Sequence, residues 1–197
     1  MLKATFFLIS LLISFSSFAS PDRYILVTFH GLGGLESGAL EEALYITSNI
    51  SDAGVERMYN AGHGVSKRKF KMVLDNFDCR DGKQMRADMG LIIIGYSWGA
   101  RKSYDFSKAY FKKCGRKADR AYMIDGIQKL ITSFRHRPVA QVCKNYYKRK
   151  GIISGKALEG CENFNKTEVC EKTSGMECHQ KVLSEGLNLA MEDIAGL

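Results

Sequence analysis

Leu91-Ile92-Ile93-Ile94-Gly95-Tyr96-Ser97-Trp98-Gly99-Ala100 is the stretch on which the reading of this 197-residue chain turns. Four consecutive aliphatic residues suit a strand buried on both faces, which is the situation of a central strand in a parallel sheet. After Ala100 the pattern changes to helix periodicity through Lys113, with Tyr104, Ser107, Ala109, Tyr110 and Phe111 supplying bulk. Ser97 therefore falls on the turn between a strand and a helix. In that context Gly-x-Ser-x-Gly carries information that the string alone does not. The turn is sharp enough to force Ser97 into a strained backbone conformation and to aim its hydroxyl at the positive end of the helix. Side chains at 95 and 99 would collide with the neighbouring helix and strand, so both positions call for glycine.

Outward toward the N-terminus, Tyr24-Ile25-Leu26-Val27-Thr28-Phe29 is a second buried strand, and it ends in His30-Gly31-Leu32-Gly33-Gly34. Residues 35–52 place Leu40, Ala43, Leu44 and Thr47 on one helical stripe, and Gly54 stops them. Val55 to Tyr59 reads as a strand, followed by a polar loop with Gly62, His63 and Gly64 and a basic helix from Arg68 to Phe77. Toward the C-terminus, Arg120 to Ile124 is a strand ending at Asp125, and Val139 to Tyr147 is another. Residues 150–178 show little periodicity and hold Cys161, Cys170 and Cys178, so they read as a long stapled loop. Val182, Leu183, Leu187, Ala190, Met191 and Ile194 define a closing helix from Gln180 to Ile194. Strands alternating with helices predict an α/β three-layer sandwich, with a mainly parallel sheet covered by helices on both faces. The expected organisation is one domain over residues 20–197, with no large lid.

Residues 1–19 carry one lysine, a short apolar run and a Ser-Phe-Ala end, which is the pattern of a secretory signal peptide cut after Ala19. A secreted or periplasmic location follows. All six cysteines (Cys79, Cys114, Cys143, Cys161, Cys170, Cys178) lie beyond the leader, and an even number in an exported chain points to three disulfides whose pairing the sequence leaves open. None is spaced as a zinc ligand, so no metal is expected. Gly-x-Gly-x-x-Gly fails at Glu36, and no Gly-Lys-Ser/Thr follows, which argues against a nucleotide loop. The net charge is +8, with basic clusters at 67–71, 112–117, 135–137 and 148–150. They read as a solvated surface that can meet an anionic envelope or lipid headgroups. No aromatic-interleaved motif accompanies them, so nucleic acid is not expected. Asn49 and Asn165 head formal glycosylation triplets on which nothing rests.

The loop His30-Gly31-Leu32-Gly33-Gly34, the elbow Gly95-Tyr96-Ser97-Trp98-Gly99-Ala100, the strand end Ala121-Tyr122-Met123-Ile124-Asp125 and a late His before a terminal helix together resemble the α/β-hydrolases. The likeness is to small lipase-like and cutinase-like serine esterases. It implies a cofactor-free carboxylic-ester hydrolase acting on a small-molecule or lipid ester. Ser97 would be the nucleophile, and the backbone amides of Leu32 and Trp98 would form the oxyanion hole. In that fold the acid and then the histidine follow the serine along the chain. His179 is the better placed base, since His136 sits between two arginines and His30 precedes the serine. Asp125, at a strand end, is the expected acid, with Glu159 as the alternative and Glu162 behind it. Trp98 is larger than the residue usual after such a nucleophile. Two other readings use the same residues: a thioesterase, amidase or phospholipase with this triad, and a non-catalytic exported binding protein that keeps the fold.

Overall fold

The computed structural model describes residues 21–31, 54–62, 66–129, 132–151, 153–173 and 175–197. The apolar run at the centre of the chain becomes β5 (Met89–Tyr96), every residue of which is buried. It lies between β1 (Arg23–His30) and β6 (Ala118–Ile124). Outside these come β2 (Val55–Gly62) against β1, β9 (Ala140–Tyr147) against β6, and β10 (Glu162–Asn165) on the far edge. The six strands run in the order β10-β9-β6-β5-β1-β2, and every pairing is parallel. The short segments β3 (Cys79–Arg80) with β4 (Lys83–Gln84), and β7 (Ile127–Lys129) with β8 (Thr132–Ser133), form two small antiparallel ribbons.

A parallel sheet needs cover on both faces, and the alternation of side chains along each strand shows how it is obtained. Ile25, Val27 and Phe29 of β1 and Leu91 and Ile93 of β5 face one side. There they meet Phe106 and Tyr110 of α2 (Gly99–Cys114) and Val73 and Leu74 of α1 (Lys67–Leu74). Leu26, Ile92, Ile94, Tyr96, Tyr122 and Ile124 face the other side, against Val182, Leu183, Leu187, Ala190 and Ile194 of α3 (Gly175–Ala195). Gly186 lets α3 come close: a Cβ there would stand 3.0 Å from Ile124. Beside α2, Met123 of β6 and Cys143 of β9 are covered by Phe134 and Leu158. The fold is thus the three-layer α/β arrangement read from the sequence.

The structure refines several boundaries. The strand from Val55 runs on through Gly62, and the basic helix ends at Leu74 with a single 3-10 turn over Asp75–Phe77. Residues 150–178 are not a plain loop: they include β10, a 3-10 turn over Thr167–Cys170 and the first turn of α3. Four residues are too few for a period to show, and Glu162 and Asn163 on this edge strand are exposed, so the polar sequence hid it. The predicted leader and the helix over residues 35–52 lie outside the described residues.

The three disulfides join Cys79 to Cys114, Cys143 to Cys161 and Cys170 to Cys178. They indicate an oxidising environment, and no described helix is long and apolar enough to cross a membrane.

Candidate active site

In a parallel sheet, a crevice opens where neighbouring strands send their chains in opposite directions, at the carboxyl ends of those strands. Here β1 connects outward to β2 and β5 connects outward to β6, so the topological switch point lies between the ends of β1 and β5. His30 and Gly31 stand at the first end and Ser97 at the second.

Ser97 has φ +54°, in the left-handed region, where a residue with a Cβ is held only if its surroundings dictate it. The surroundings are visible. Its N–H donates to the Ile124 carbonyl at 3.0 Å, and its own carbonyl accepts from Ile127 at 3.0 Å and Ala100 at 3.2 Å. A Cβ on Gly99 would collide with the Phe29 carbonyl of β1, and one on Gly95 would collide with the Ser103 side chain of α2. The expectation for both glycines is met by named atoms. Trp98 forms the N-cap of α2, so its amide belongs to the helix end that carries partial positive charge.

Asp125 follows β6 as Ser97 follows β5, and it too is left-handed, with φ +41°. Register pairs Tyr96 with Ile124, which puts the two turns side by side. The Asp125 carboxyl is fully buried, and every group directed at it is a donor. Oδ1 accepts from Gly155 N–H at 2.6 Å and from Lys148 N–H at 3.3 Å. Oδ2 accepts from His179 Nδ1 at 2.6 Å and lies 3.5 Å from the Lys148 ammonium. A carboxylate only accepts, so Nδ1 carries the imidazole proton and Nε2 of the neutral ring is the acceptor. That is the tautomer a general base requires.

His179 is buried, stacks on the Tyr96 ring at 4.6 Å, and takes a hydrogen bond from Tyr96 Oη on its own carbonyl at 3.3 Å. Its Nε2 has no hydrogen-bond partner among the described residues, Ser97 included. The arrangement offers a strained serine, an imidazole oriented by a carboxylate, and a ring nitrogen without a partner among the described residues.

The sequence placed His179 ahead of the last helix, but it lies within α3. The signal was available: 179, 182/183, 186, 190 and 194 form one inward stripe, and the histidine extends that stripe backward. The Cys170–Cys178 bond ties down the neighbouring residue. His136 is exposed, stacked on Tyr104 at 5.1 Å, and does not join the site. Glu159 and Glu162 are exposed, on a turn and on β10 respectively, and make no contact with His179. His30 is half-buried at the end of β1, its ring packed where a Cβ on Gly62 would go. Leu32 lies outside the described residues.

Lys148 and Gly155 escaped the sequence reading. Lys148 was counted in the solvated cluster 148–150, yet its side chain has no exposure at all. Burial follows from the strand: Tyr146 and Tyr147 carry β9 into the interior, and the next residue emerges beneath Asp125. Among the described residues, no group of three or more His, Cys, Asp or Glu could hold a metal ion.

Comparison of the chain with protein-family models, with curated proteins and with solved structures finds no match.

Proposed function

We propose that this protein is a serine hydrolase that cleaves a carboxylic ester, with Ser97 as nucleophile, His179 as general base and Asp125 as the orienting acid. The observation that carries the reading is the buried His179 imidazole. Nδ1 is committed to Asp125 at 2.6 Å, Nε2 is left without a partner among the described residues, and the ring is stacked on the residue that precedes the strained serine. Most buried side-chain nitrogens in folded proteins are hydrogen-bonded, so an unpartnered one supports a role in chemistry.

In the proposed reaction His179 Nε2 takes the Ser97 proton as Oγ attacks the carbonyl carbon. The resulting oxyanion is held by the amides of Trp98 and Leu32, each worth about 3 kcal/mol to the transition state. Return of the proton from Nε2 expels the alcohol and leaves an acyl-serine. Water, deprotonated by the same nitrogen, then adds to the acyl carbon, and collapse of that second intermediate frees the acid and restores Ser97. A leader at residues 1–19 and a secreted or periplasmic location belong to the same proposal, and the three disulfides support them. The likeness to small lipase-like esterases remains part of this proposal and rests on the motifs together with the sheet order.

The test uses the full chain with a fluorophosphonate probe and a chain-length series of chromogenic esters. The wild type is expected to label and to turn over an ester, and Ser97→Ala to do neither while melting at nearly the same temperature. Equal labelling of the two proteins would overturn the assignment of Ser97. Thioester and anilide arms in the same series separate thioesterase and amidase activity from ester hydrolysis.

A further inference from the structure

Lys148 is a buried charged group at this site that the mechanism above does not use. Its ammonium meets the Lys150 carbonyl at 3.1 Å, the Ile153 carbonyl, and Asp125 Oδ2 at 3.5 Å. Two of its protons serve the carbonyls of Lys150 and Ile153 as hydrogen bonds, and its charge pairs with the Asp125 carboxylate. Its neighbours Arg149 and Lys150 are exposed, so the run of three basic residues divides into two solvated side chains and one that turns inward.

The contacts do two things together. By holding the carbonyls of residues 150 and 153, the ammonium draws both limbs of the loop that follows β9 toward the interior. That loop then returns at Gly155, whose N–H reaches Asp125 Oδ1, and a Cβ at 155 would stand only 2.7 Å from that oxygen. Both backbone donors therefore fall on Oδ1, and Oδ2 faces His179 at hydrogen-bond distance with the Lys148 ammonium behind it at 3.5 Å. The positive charge also balances a carboxylate that is entirely out of water, where an unpaired charge is poorly tolerated.

We propose that Lys148 is a positioning residue for this site: as a buried counter-ion and loop latch, it fixes the Asp125 carboxylate so that one oxygen alone faces His179 Nδ1. The consequence for catalysis rests on the hydrolase reading, but the positioning itself does not. Arginine cannot substitute, because a planar guanidinium cannot replace a tetrahedral ammonium among three oxygens converging on one atom. Methionine matches the length of the stem and removes the charge.

The experiment compares wild type, Lys148→Met and Lys148→Met/Asp125→Asn in three measurements: thermal melting, the far-downfield proton resonance of a histidine Nδ1–H bound to a carboxylate, and kcat and KM on the best chromogenic ester. If Lys148→Met folds, the resonance is expected to shift or broaden away, and kcat to fall about 10–100-fold with KM nearly unchanged, the range seen when an outer partner of an active group is removed. A folded Lys148→Met with the wild-type resonance and kcat would overturn the proposal. If Lys148→Met does not fold, the double variant is expected to regain cooperative melting, because the carboxylate no longer lacks a counter-ion. Failure of the double variant to melt higher than Lys148→Met would assign the lysine to packing alone and overturn the proposal. Should the wild type turn over no ester, thioester or anilide, the hydrolase reading falls, and the resonance comparison still decides the role of Lys148.

Discussion

Two turns stand side by side at the carboxyl edge of the sheet, and they are built in opposite ways. Both place a residue with a side chain in the left-handed region, Ser97 at φ +54° and Asp125 at φ +41°. The Ser97 turn is a main-chain construction: the glycines two residues before and two after it, and hydrogen bonds with the backbone of Ile124 and Ile127, account for its shape. The Asp125 turn is held through its side chain as well, by Lys148, Gly155 and His179, which lie 23, 30 and 54 residues further along. A turn shaped by main-chain contacts can devote its side chain to chemistry at little cost to the rest of the fold. A turn that gathers three remote segments is part of the fold's stability, whatever chemistry it performs.

The strongest test of that contrast is Asp125→Gly. Glycine accepts φ +41° without strain, so the backbone is permitted and only the carboxylate is lost. Loss of one partner from a buried ion pair costs about 3–5 kcal/mol, and two buried N–H donors lose their acceptor as well. The expected result is a fall in urea-unfolding stability of at least that size. A fall below about 1 kcal/mol, which is no more than one ordinary hydrogen bond contributes, would show that the Asp125 turn is as self-sufficient as the Ser97 turn.

What the sequence could disclose follows the same division. Strand, elbow and helix around Ser97 were legible because their signals run without a break along the chain: an aliphatic run, two glycines and a helical period. Asp125 and His179 were legible singly, from a strand end and a late histidine, and only the resemblance paired them. That His179 sits inside α3 was readable only by extending an apolar stripe onto a polar residue. Lys148 was misread because a run of Lys-Arg-Lys ordinarily faces water, and its burial depends on an acceptor set assembled from residues 125, 150 and 153. The disulfide pairing depended on the same kind of remote geometry.

A smaller effect of opposite sign is expected at the Ser97 turn. Ser97→Gly relieves a non-glycine residue from the left-handed region, a relief of about 1–3 kcal/mol at such sites, and loses about 0.4–1 kcal/mol to the greater freedom of the unfolded chain. The variant should therefore be inactive toward the fluorophosphonate and more stable than the wild type by about 1 kcal/mol. Destabilisation on this substitution would mean that the Ser97 side chain supports the fold, and the contrast between the turns would fail.

The smallest effect concerns the far end of the helix that delivers His179. Asp193 lies 14 residues beyond it on α3, about 21 Å along the axis at 1.5 Å per residue. Burial pushes the Asp193 carboxyl up, but hydrogen bonds from Lys144 and Tyr122 and the Arg120 charge outweigh it and hold the group below its ordinary range. A carboxyl lowered in the folded state contributes stability above its unfolded value, near 4, and loses that contribution as pH falls through the lower folded value. Asp193→Asn should thus melt below the wild type near neutrality, with a difference of about 1 kcal/mol or less because the group is partly exposed, and the two melting points should converge in acid. An acid carboxyl so near a helix C-terminus is also unfavourable to the helix dipole, which the surrounding cations offset. The disulfide and the stacked ring secure the other end of α3 independently. The variant should therefore keep kcat/KM within about twofold at neutral pH, well under the 1.4 kcal/mol that a tenfold loss represents. A tenfold loss would show that the remote construction of the Asp125 turn reaches the whole length of α3, and a melting difference that does not shrink in acid would remove Asp193 from the ion network.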